Sequence, residues 1–108
     1  MYISEAHPSD GRQAPANERD GVVFRQPTAL AERADIAKAC LDSMKLTMPC
    51  VLDDMENTTE RAYGGWPDRI CIVDLAGKVA YYGAPGPGGF RPQEAEAALE
   101  TLLANMAR

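Results

Sequence analysis

The clearest structural signal in the sequence is Ile70-Cys-Ile-Val-Asp-Leu-Ala-Gly-Lys-Val-Ala-Tyr-Tyr82. Residues 70–74 form an apolar run that is typical of a strand inside a sheet. The segment Asp74-Leu-Ala-Gly77 then places glycine where a hairpin turn needs a left-handed residue. Residues 79–82 supply the returning strand. The sequence therefore predicts a β-hairpin here.

Apolar spacing predicts a helix on each side of this hairpin. The first runs from Thr28, its predicted N-cap, to Lys45. The second starts at Pro92 and runs to the end of the sequence. Both have apolar residues three and four positions apart, which places them on one face that we expect to be buried. These faces consist of Leu30, Ala34, Ala37, Leu41 and Met44, and of Ala95, Ala98, Leu99, Leu102, Leu103 and Met106.

Shorter elements complete the predicted order. Residues 2–6 and 50–53 read as short strands, and residues 8–27 between them form a long loop, which in a compact domain is often functional. The segment Asn57-Thr-Thr-Glu60 is a variant capping box: the Asn side chain would accept an early backbone N–H and Glu60 would reach back. The short helix that it opens ends at Gly64. The order predicts one α/β domain over residues 1–108, with a mixed sheet.

Composition excludes several classes of function. The 108 residues carry a formal net charge of -5, which argues against a basic surface for nucleic acid or an anionic membrane. The sequence has no apolar run long enough for a transmembrane helix. Three cysteines show no metal-ligand spacing, so we expect no metal site. Their odd number favours a reducing compartment, and we expect the cytoplasm.

The segment Tyr2-Ile-Ser-Glu-Ala-His-Pro-Ser-Asp-Gly11 contains the candidate catalytic residues Glu5 and His7. Two positions apart, they would lie on the same face of an extended chain. A carboxylate beside an imidazole can orient it and raise its basicity. The spacing also fits an ordinary surface Glu–His pair at a strand end.

Several segments together resemble the iodothyronine deiodinases and their bacterial homologues. These are YISEAHPSDG, Asn17, QPTALAER, PCVLDDMEN and AYGGWPDRICIVDLAGKVAYYGAPGP, in this order. The pattern EAHxxDG is the specific part, whereas the rest also fits other thioredoxin-fold proteins. The resemblance implies a thioredoxin-like mixed sheet flanked by helices and an oxidoreductase activity.

The resemblance also implies roles for particular residues. In this family a selenolate or thiolate removes iodine from an aromatic ring, and external thiols regenerate it without a bound cofactor. Glu5 and His7 match the essential glutamate and histidine, with proton relay and a hydrogen bond to the phenolic oxygen of the substrate as their implied roles. Pro67 matches the proline that thioredoxin folds keep cis beside the active site. We expect Trp66 and Arg12 to join it as substrate-binding residues, and Trp66 fits simple packing equally well.

The sequence departs from the family at three points. The family's nucleophile lies on a strand–helix unit before the EAH strand, and this sequence starts inside that strand, so we expect the unit to be lacking and the chain to be inactive. Arg12 and Gly88 stand where the family usually has aromatic residues. We expect Cys40, Cys50 and Cys71 to be ordinary buried cysteines, and Cys50 is the least implausible substitute for the nucleophile. Without the missing strand, two inner strands would expose unpaired backbone groups. We therefore expect the chain to close the gap by rearranging, to dimerise or to be poorly stable.

Two other functions remain open at this point. One is a non-catalytic thioredoxin-like module for binding or assembly, and the other is a peroxiredoxin-like thiol reductase. The expected partners are a small aromatic or peroxide-type substrate, a thiol electron donor and a second copy of the chain in a homodimer. We expect no nucleic acid and no membrane among them.

Overall fold

The computed structural model describes residues 1–11, 15–19, 21 and 23–107. Helices and a small antiparallel sheet make up the described part, which agrees with the predicted α/β class. The chain divides into two compact units, Met1–Tyr63 and Gly64–Arg108, and each is described by itself. In chain order the elements are α1 Pro15–Arg19, α2 Leu30–Met44, α3 Thr58–Tyr63, β1 Cys71–Val73, β2 Val79–Tyr82 and α4 Pro92–Met106.

The predicted hairpin is confirmed in the second unit. Strands β1 and β2 pair antiparallel, with Cys71 opposite Tyr82 and an irregularity in the register after Ile72. The turn closes where the Asp74 backbone N–H donates to the Lys78 carbonyl at 2.8 Å. Gly77 adopts a φ of 78°, in the left-handed region that the sequence assigned to it.

Arg69, just before β1, fastens the hairpin to the preceding segment. Its Nε donates to the Gly64 carbonyl at 2.8 Å, and a terminal nitrogen donates to the Gly83 carbonyl at 2.5 Å. The guanidinium also lies 4.2 Å from the centre of the Tyr82 ring, in a cation–π contact. One side chain therefore joins the residue after α3 to the end of β2.

Helix α4 packs against both strands, but its predicted buried face is only partly buried. Ala95 is buried, whereas Leu99 and Leu103 are exposed. The strands contain three and four residues and the helix fifteen, so the sheet is too short to cover the whole helix. The apolar period correctly predicted the helix, but not how much of it is covered.

The strands predicted at the start of the chain and around residue 52 reduce to one parallel bridge in the first unit, between Tyr2 and Leu52. The Tyr2 backbone N–H donates to the Val51 carbonyl at 2.8 Å, and the Asp53 N–H donates to the Tyr2 carbonyl at 3.0 Å. Parallel pairing with a helix between the two segments is the arrangement expected of an α/β crossover. The bridge places Tyr2 opposite Leu52, with Asp53 the next residue along the chain.

Helix α2 starts two residues later than the predicted cap. Ala29 is the N-cap residue, and Thr28 instead donates its backbone N–H to the Glu32 carboxylate at 2.9 Å. The predicted stripe is half right: Ala37 is buried, but Leu30 is exposed and Arg33, outside the stripe, is buried. A polar side chain thus takes an inward position that the apolar pattern could not indicate.

The three cysteines are free thiols in different surroundings. Cys50 is exposed, which corrects the expectation of a buried residue, since it follows Pro49 in an irregular segment. Cys40 and Cys71 are partly buried. Within residues 1–11, 15–19, 21 and 23–107, no helix has the length and apolar character needed to span a membrane.

Candidate functional site

Glu5 is held through its side chain by Tyr2. The Tyr2 hydroxyl donates a hydrogen bond to Oε1 of Glu5, and both side chains are partly buried. Burial raises the pKa of Tyr2 far above its ordinary value, and the hydrogen bond and negative charge of Glu5 raise it further. Tyr2 therefore remains a neutral donor, and its donation orients the Glu5 carboxyl group.

The Glu5 backbone is held by Gln26. Its N–H donates to Oε1 of Gln26 at 3.2 Å, and Nε2 of Gln26 donates to its carbonyl at 3.1 Å. Next to it, the Ser4 hydroxyl donates to the Glu60 carboxylate at 2.7 Å. The segment that carries Glu5 is thus fixed from three directions.

The long loop of residues 8–27 closes on itself near Gln26. The Gln26 backbone N–H donates to the Asp10 carboxylate at 2.8 Å, and the Ser9 N–H donates to the Phe24 carbonyl at 2.7 Å. Arg25 adds an exposed ion pair with Asp10 at 3.8 Å. The two ends of the loop are therefore joined next to Glu5.

The short helix α1 lies between these two ends in the sequence. It was not predicted, although Pro15 at its start is a helix-start signal.

His7 is exposed and lies where the chain bends, at residues 6 and 7. Because of this bend, the extended-chain argument does not by itself put His7 and Glu5 on one face. The imidazole is accessible to a molecule in solution.

The remaining predicted site residues are Trp66, Pro67 and Arg12. Trp66 is about half exposed, and Pro67 is partly buried; both belong to the second unit. The Trp66–Pro67 peptide bond is cis, as predicted. Arg12 lies outside the described residues. Substrate binding by these three residues stays a prediction.

A shallow cavity of about 320 Å³ lies in the first unit beside Gln26. Its volume is at the lower end of the range for small-molecule sites. It is lined by a mixture of apolar, amide and charged side chains: Phe24, Arg25, Gln26, Pro27, Glu32, Asp35 and Ile36.

The acidic residues after Leu52 form a helix cap. The buried Asp53 accepts the backbone N–H groups of Thr59 at 3.0 Å and Glu60 at 2.8 Å. Burial alone would raise the pKa of Asp53, but these N–H groups outweigh it and hold that pKa below its ordinary value. In the part of the chain that the structure describes, no group of three or more His, Cys, Asp or Glu side chains is placed to hold a metal ion.

Comparison with known proteins gives the same family as the motifs. The sequence profile described as iodothyronine deiodinase matches residues 1–103. The chain belongs to the iodothyronine deiodinase family. This match includes Glu5 and His7 as well as the hairpin and most of α4.

Individual relatives agree with the family assignment. The type II iodothyronine deiodinase of Fundulus heteroclitus is 40% identical over 89 residues, which cover 81% of this chain and 33% of the relative. Those of Rattus norvegicus and Homo sapiens are each 35% identical over 102 residues, covering 93% of this chain and 38% and 37% of the relatives. The chain thus spans about a third of the length of these deiodinases.

Proposed function

We propose that this chain is part of a deiodinase-type oxidoreductase that uses a thiol or selenol to remove halogen from an aromatic ring. The observation that supports this best is the fixed carboxyl group of Glu5, oriented by Tyr2, with the exposed imidazole of His7 two residues further on. Membership of the family over residues 1–103 supplies the class of reaction.

A thioredoxin-like arrangement is proposed for the fold. Supporting features are the parallel bridge at Tyr2, the cis peptide bond before Pro67, the hairpin of β1 and β2 and the closing helix α4. Pro67, Trp66 and Arg12 are proposed as substrate-binding residues, because Pro67 matches the cis proline of the family, Trp66 adjoins it and Arg12 follows the EAHxxDG pattern.

The proposed reaction breaks one carbon–iodine bond. The sulfur or selenium nucleophile accepts the iodine as a formally positive atom, and the ring carbon keeps the bonding electron pair and takes a proton. An external thiol then displaces iodide, and a second thiol frees the nucleophile as the two thiols become a disulfide. Two thiols and one aryl iodide thus give one arene, one disulfide, one iodide and one proton.

The residues of this chain contribute positioning and proton transfer. His7 hydrogen-bonds to the phenolic oxygen of the substrate, which polarises the ring that receives the proton. Glu5 relays a proton and is oriented by the Tyr2 hydroxyl. A carboxyl group held in one place can serve repeated proton transfers without reorganising.

The attacking atom is proposed to be none of the three cysteines. The thiol of Cys40 contacts the sulfur of Met44 on α2 at 3.7 Å, and Cys71 lies within β1. Cys50 is exposed, but a reactive thiolate also needs a cationic neighbour or a helix N-terminus. The Cys50 thiol instead contacts the carbonyl of Val51 at 3.7 Å, in a segment that is not helical. The 108-residue chain alone is therefore expected to show no turnover. The thiol donor is consistent with a reducing compartment such as the cytoplasm.

Iodide release tests the proposal. The protein expressed from its complete reading frame is incubated with an iodinated phenol and excess dithiothreitol, and free iodide is measured. We expect His7→Ala and Glu5→Gln to lower kcat by about 100-fold, the lower part of the range for loss of an acid–base group. Glu96→Gln, an exposed acid on α4, is the matched control and should retain full activity.

Two outcomes would overturn the proposal. One is iodide release that does not change when His7 is replaced by Ala. The other is a folded full-length protein with no thiol-dependent turnover, which would instead favour the non-catalytic binding module.

A further inference from the structure

We propose that Gln26 is a positioning residue, which sets the backbone of Glu5 and thereby the place of its carboxyl group. This inference rests on the proposed function only for its consequence in turnover. The geometry that carries it belongs to the first unit and can be tested without any substrate.

The contact between Gln26 and Glu5 uses both polar groups on each side. The primary amide of Gln26 accepts from the Glu5 N–H at 3.2 Å and donates to the Glu5 carbonyl at 3.1 Å. A neighbouring strand would offer a backbone residue the same pair of bonds. Here the side chain of Gln26, 21 residues from Glu5 in the sequence, makes this pair of bonds in place of a neighbouring strand.

Gln26 is itself anchored independently of its side chain. Its backbone N–H donates to Asp10 at 2.8 Å, and the next residue, Pro27, is buried. A proline also restricts the preceding residue to extended conformations. Removal of the amide side chain should therefore leave the loop closed and release Glu5 alone, which makes Gln26→Ala an informative variant.

The chemistry of the amide explains why Gln fits this position better than Glu or Asn. Glu at this position keeps the acceptor for the Glu5 N–H, but when ionised it has no donor for the Glu5 carbonyl. Asn keeps both groups but is one methylene shorter, so it cannot reach both backbone atoms at the observed distances. We expect the Glu5 backbone to be held most firmly with Gln at position 26, less firmly with Glu and least firmly with Ala.

The consequence for catalysis should be selective. Tyr2 holds the Glu5 carboxyl group and Gln26 holds its backbone, so a loose backbone changes where the carboxyl group stands relative to the reacting atoms. A misplacement of about 1 Å can cost about 100-fold in rate. We expect Gln26→Ala to lower kcat by about 10-fold to 100-fold and to leave KM within about twofold.

Two measurements test this inference, with Gln93→Ala, an exposed glutamine on α4, as the matched control. Amide hydrogen exchange at Glu5, followed by NMR, should become at least about 10-fold faster in Gln26→Ala, less so in Gln26→Glu, and not at all in Gln93→Ala. Iodide release by the protein from its complete reading frame gives kcat and KM. On a Glu5→Gln background, Gln26→Ala should cause no further loss, because it acts through Glu5.

The outcomes separate this inference from the proposed function. Unchanged exchange at Glu5 in Gln26→Ala overturns the positioning role whether or not the protein is active. Faster exchange with unchanged kcat overturns its catalytic consequence. If the wild-type protein has no turnover, the proposed function fails, and the exchange data alone decide whether Gln26 positions Glu5. A loss that adds fully to that of Glu5→Gln would show a general structural effect instead.

Discussion

The guanidinium of Arg33 donates from one terminal nitrogen to the side-chain oxygen of Asn57, 3.0 Å away, and so takes the acceptor that a helix cap would use. Its other terminal nitrogen donates to the carbonyls of Asp53, at 3.2 Å, and Asp54, at 2.6 Å. Arg33 is 2% exposed. The buried guanidinium of Arg33 therefore holds residues 53–57 through three hydrogen bonds.

Replacement of Arg33 should destabilise the first unit. Arg33→Met removes the guanidinium donors from three oxygen atoms, of which the Asp54 carbonyl keeps the Asn57 N–H at 3.0 Å. A hydrogen bond from a charged group contributes about 1.5–3 kcal/mol. Arg33→Lys keeps the charge, but a single ammonium group cannot reproduce the planar fork, so it should recover only part of the loss. Urea denaturation followed by circular dichroism measures both.

The exposed Arg61→Met is the control for this pair and should lie within about 0.5 kcal/mol of wild type. A double-mutant cycle of Arg33→Met with Asn57→Ala should show non-additive losses, since the two residues share a hydrogen bond. Equal stability of Arg33→Lys and wild type would contradict the importance of the fork.

The local signals in the sequence predicted the second unit well. The apolar run at residues 70–74, the glycine at position 77 and the proline at position 92 correctly predict β1, the turn and the start of α4. Each of these signals acts within a few residues, through backbone conformation or apolar period. The EAHPSDG segment of residues 5–11 likewise indicated the family, because all of its residues lie together in the sequence and can be recognised without the fold.

Long-range partners could not be predicted in the same way. The capping box was right about the start of α3 but wrong about the partners: Asp53 caps the helix, Asn57 accepts from Arg33, and Glu60 accepts from Ser4. The tertiary fold brings the partners of Asn57 and Glu60 close from 24 and 56 residues away in the sequence. Gln26 was missed for the same reason, since nothing in its neighbouring residues indicates Glu5.

Asp53 should make stability depend on acid pH. Its pKa in the folded protein lies below its ordinary value, because the N–H groups of Thr59 and Glu60 outweigh the effect of burial. The unfolded chain therefore binds the proton more readily. The stabilisation is complete above the ordinary pKa, about 3.9, and is lost as the pH falls through the lower folded value.

Asp53→Asn tests this dependence. At neutral pH it should cost about 1–3 kcal/mol, because the Asn amide keeps one acceptor oxygen but presents an NH2 group to the other backbone N–H. Between pH 7 and pH 2, its free energy of unfolding should change less steeply than that of wild type. Asp42→Asn, an exposed aspartate on α2, should keep the wild-type slope. Parallel acid limbs for Asp53→Asn and wild type would rule out Asp53 as the source.

Tyr2 should make the free energy of unfolding fall at alkaline pH, whereas Asp53 makes it fall at acid pH. Burial, followed by the hydrogen bond to Glu5, raises the pKa of Tyr2 above its ordinary value of about 10. The folded protein therefore keeps the hydroxyl proton longer than the unfolded chain. The stabilisation is complete below about pH 10 and is lost as the pH rises towards the folded value.

Tyr2→Phe removes both the proton and the hydrogen bond. It should cost about 0.5–1.5 kcal/mol at neutral pH. It should also remove part of the fall in the free energy of unfolding above pH 10, measured by urea denaturation at several pH values. Tyr81→Phe, in the second unit, is the matched control. The prediction is wrong if Tyr2→Phe and wild type lose stability equally as the pH rises.

Gly88 and Gly89 are neighbours in the loop before α4 and offer a matched pair of substitutions. A Cβ on Gly89 would lie 2.5 Å from the carbonyl carbon and 2.6 Å from the carbonyl oxygen of Ala84, whereas a Cβ on Gly88 would meet nothing within 4 Å. The obstacle at Gly89 is backbone, which cannot move aside as a flexible side chain can. Gly89→Ala should therefore cost about 1–3 kcal/mol, like other overpacked sites.

Gly88→Ala should lie within about 0.5 kcal/mol of wild type, or be slightly stabilising, because alanine restricts the unfolded chain more than glycine does. Thermal unfolding of both variants, followed by circular dichroism, gives the comparison under one set of conditions. The two glycines adjoin in sequence, so changes in composition and loop length cancel between them. Equal melting temperatures would mean that the loop does not bring Gly89 against Ala84 in solution.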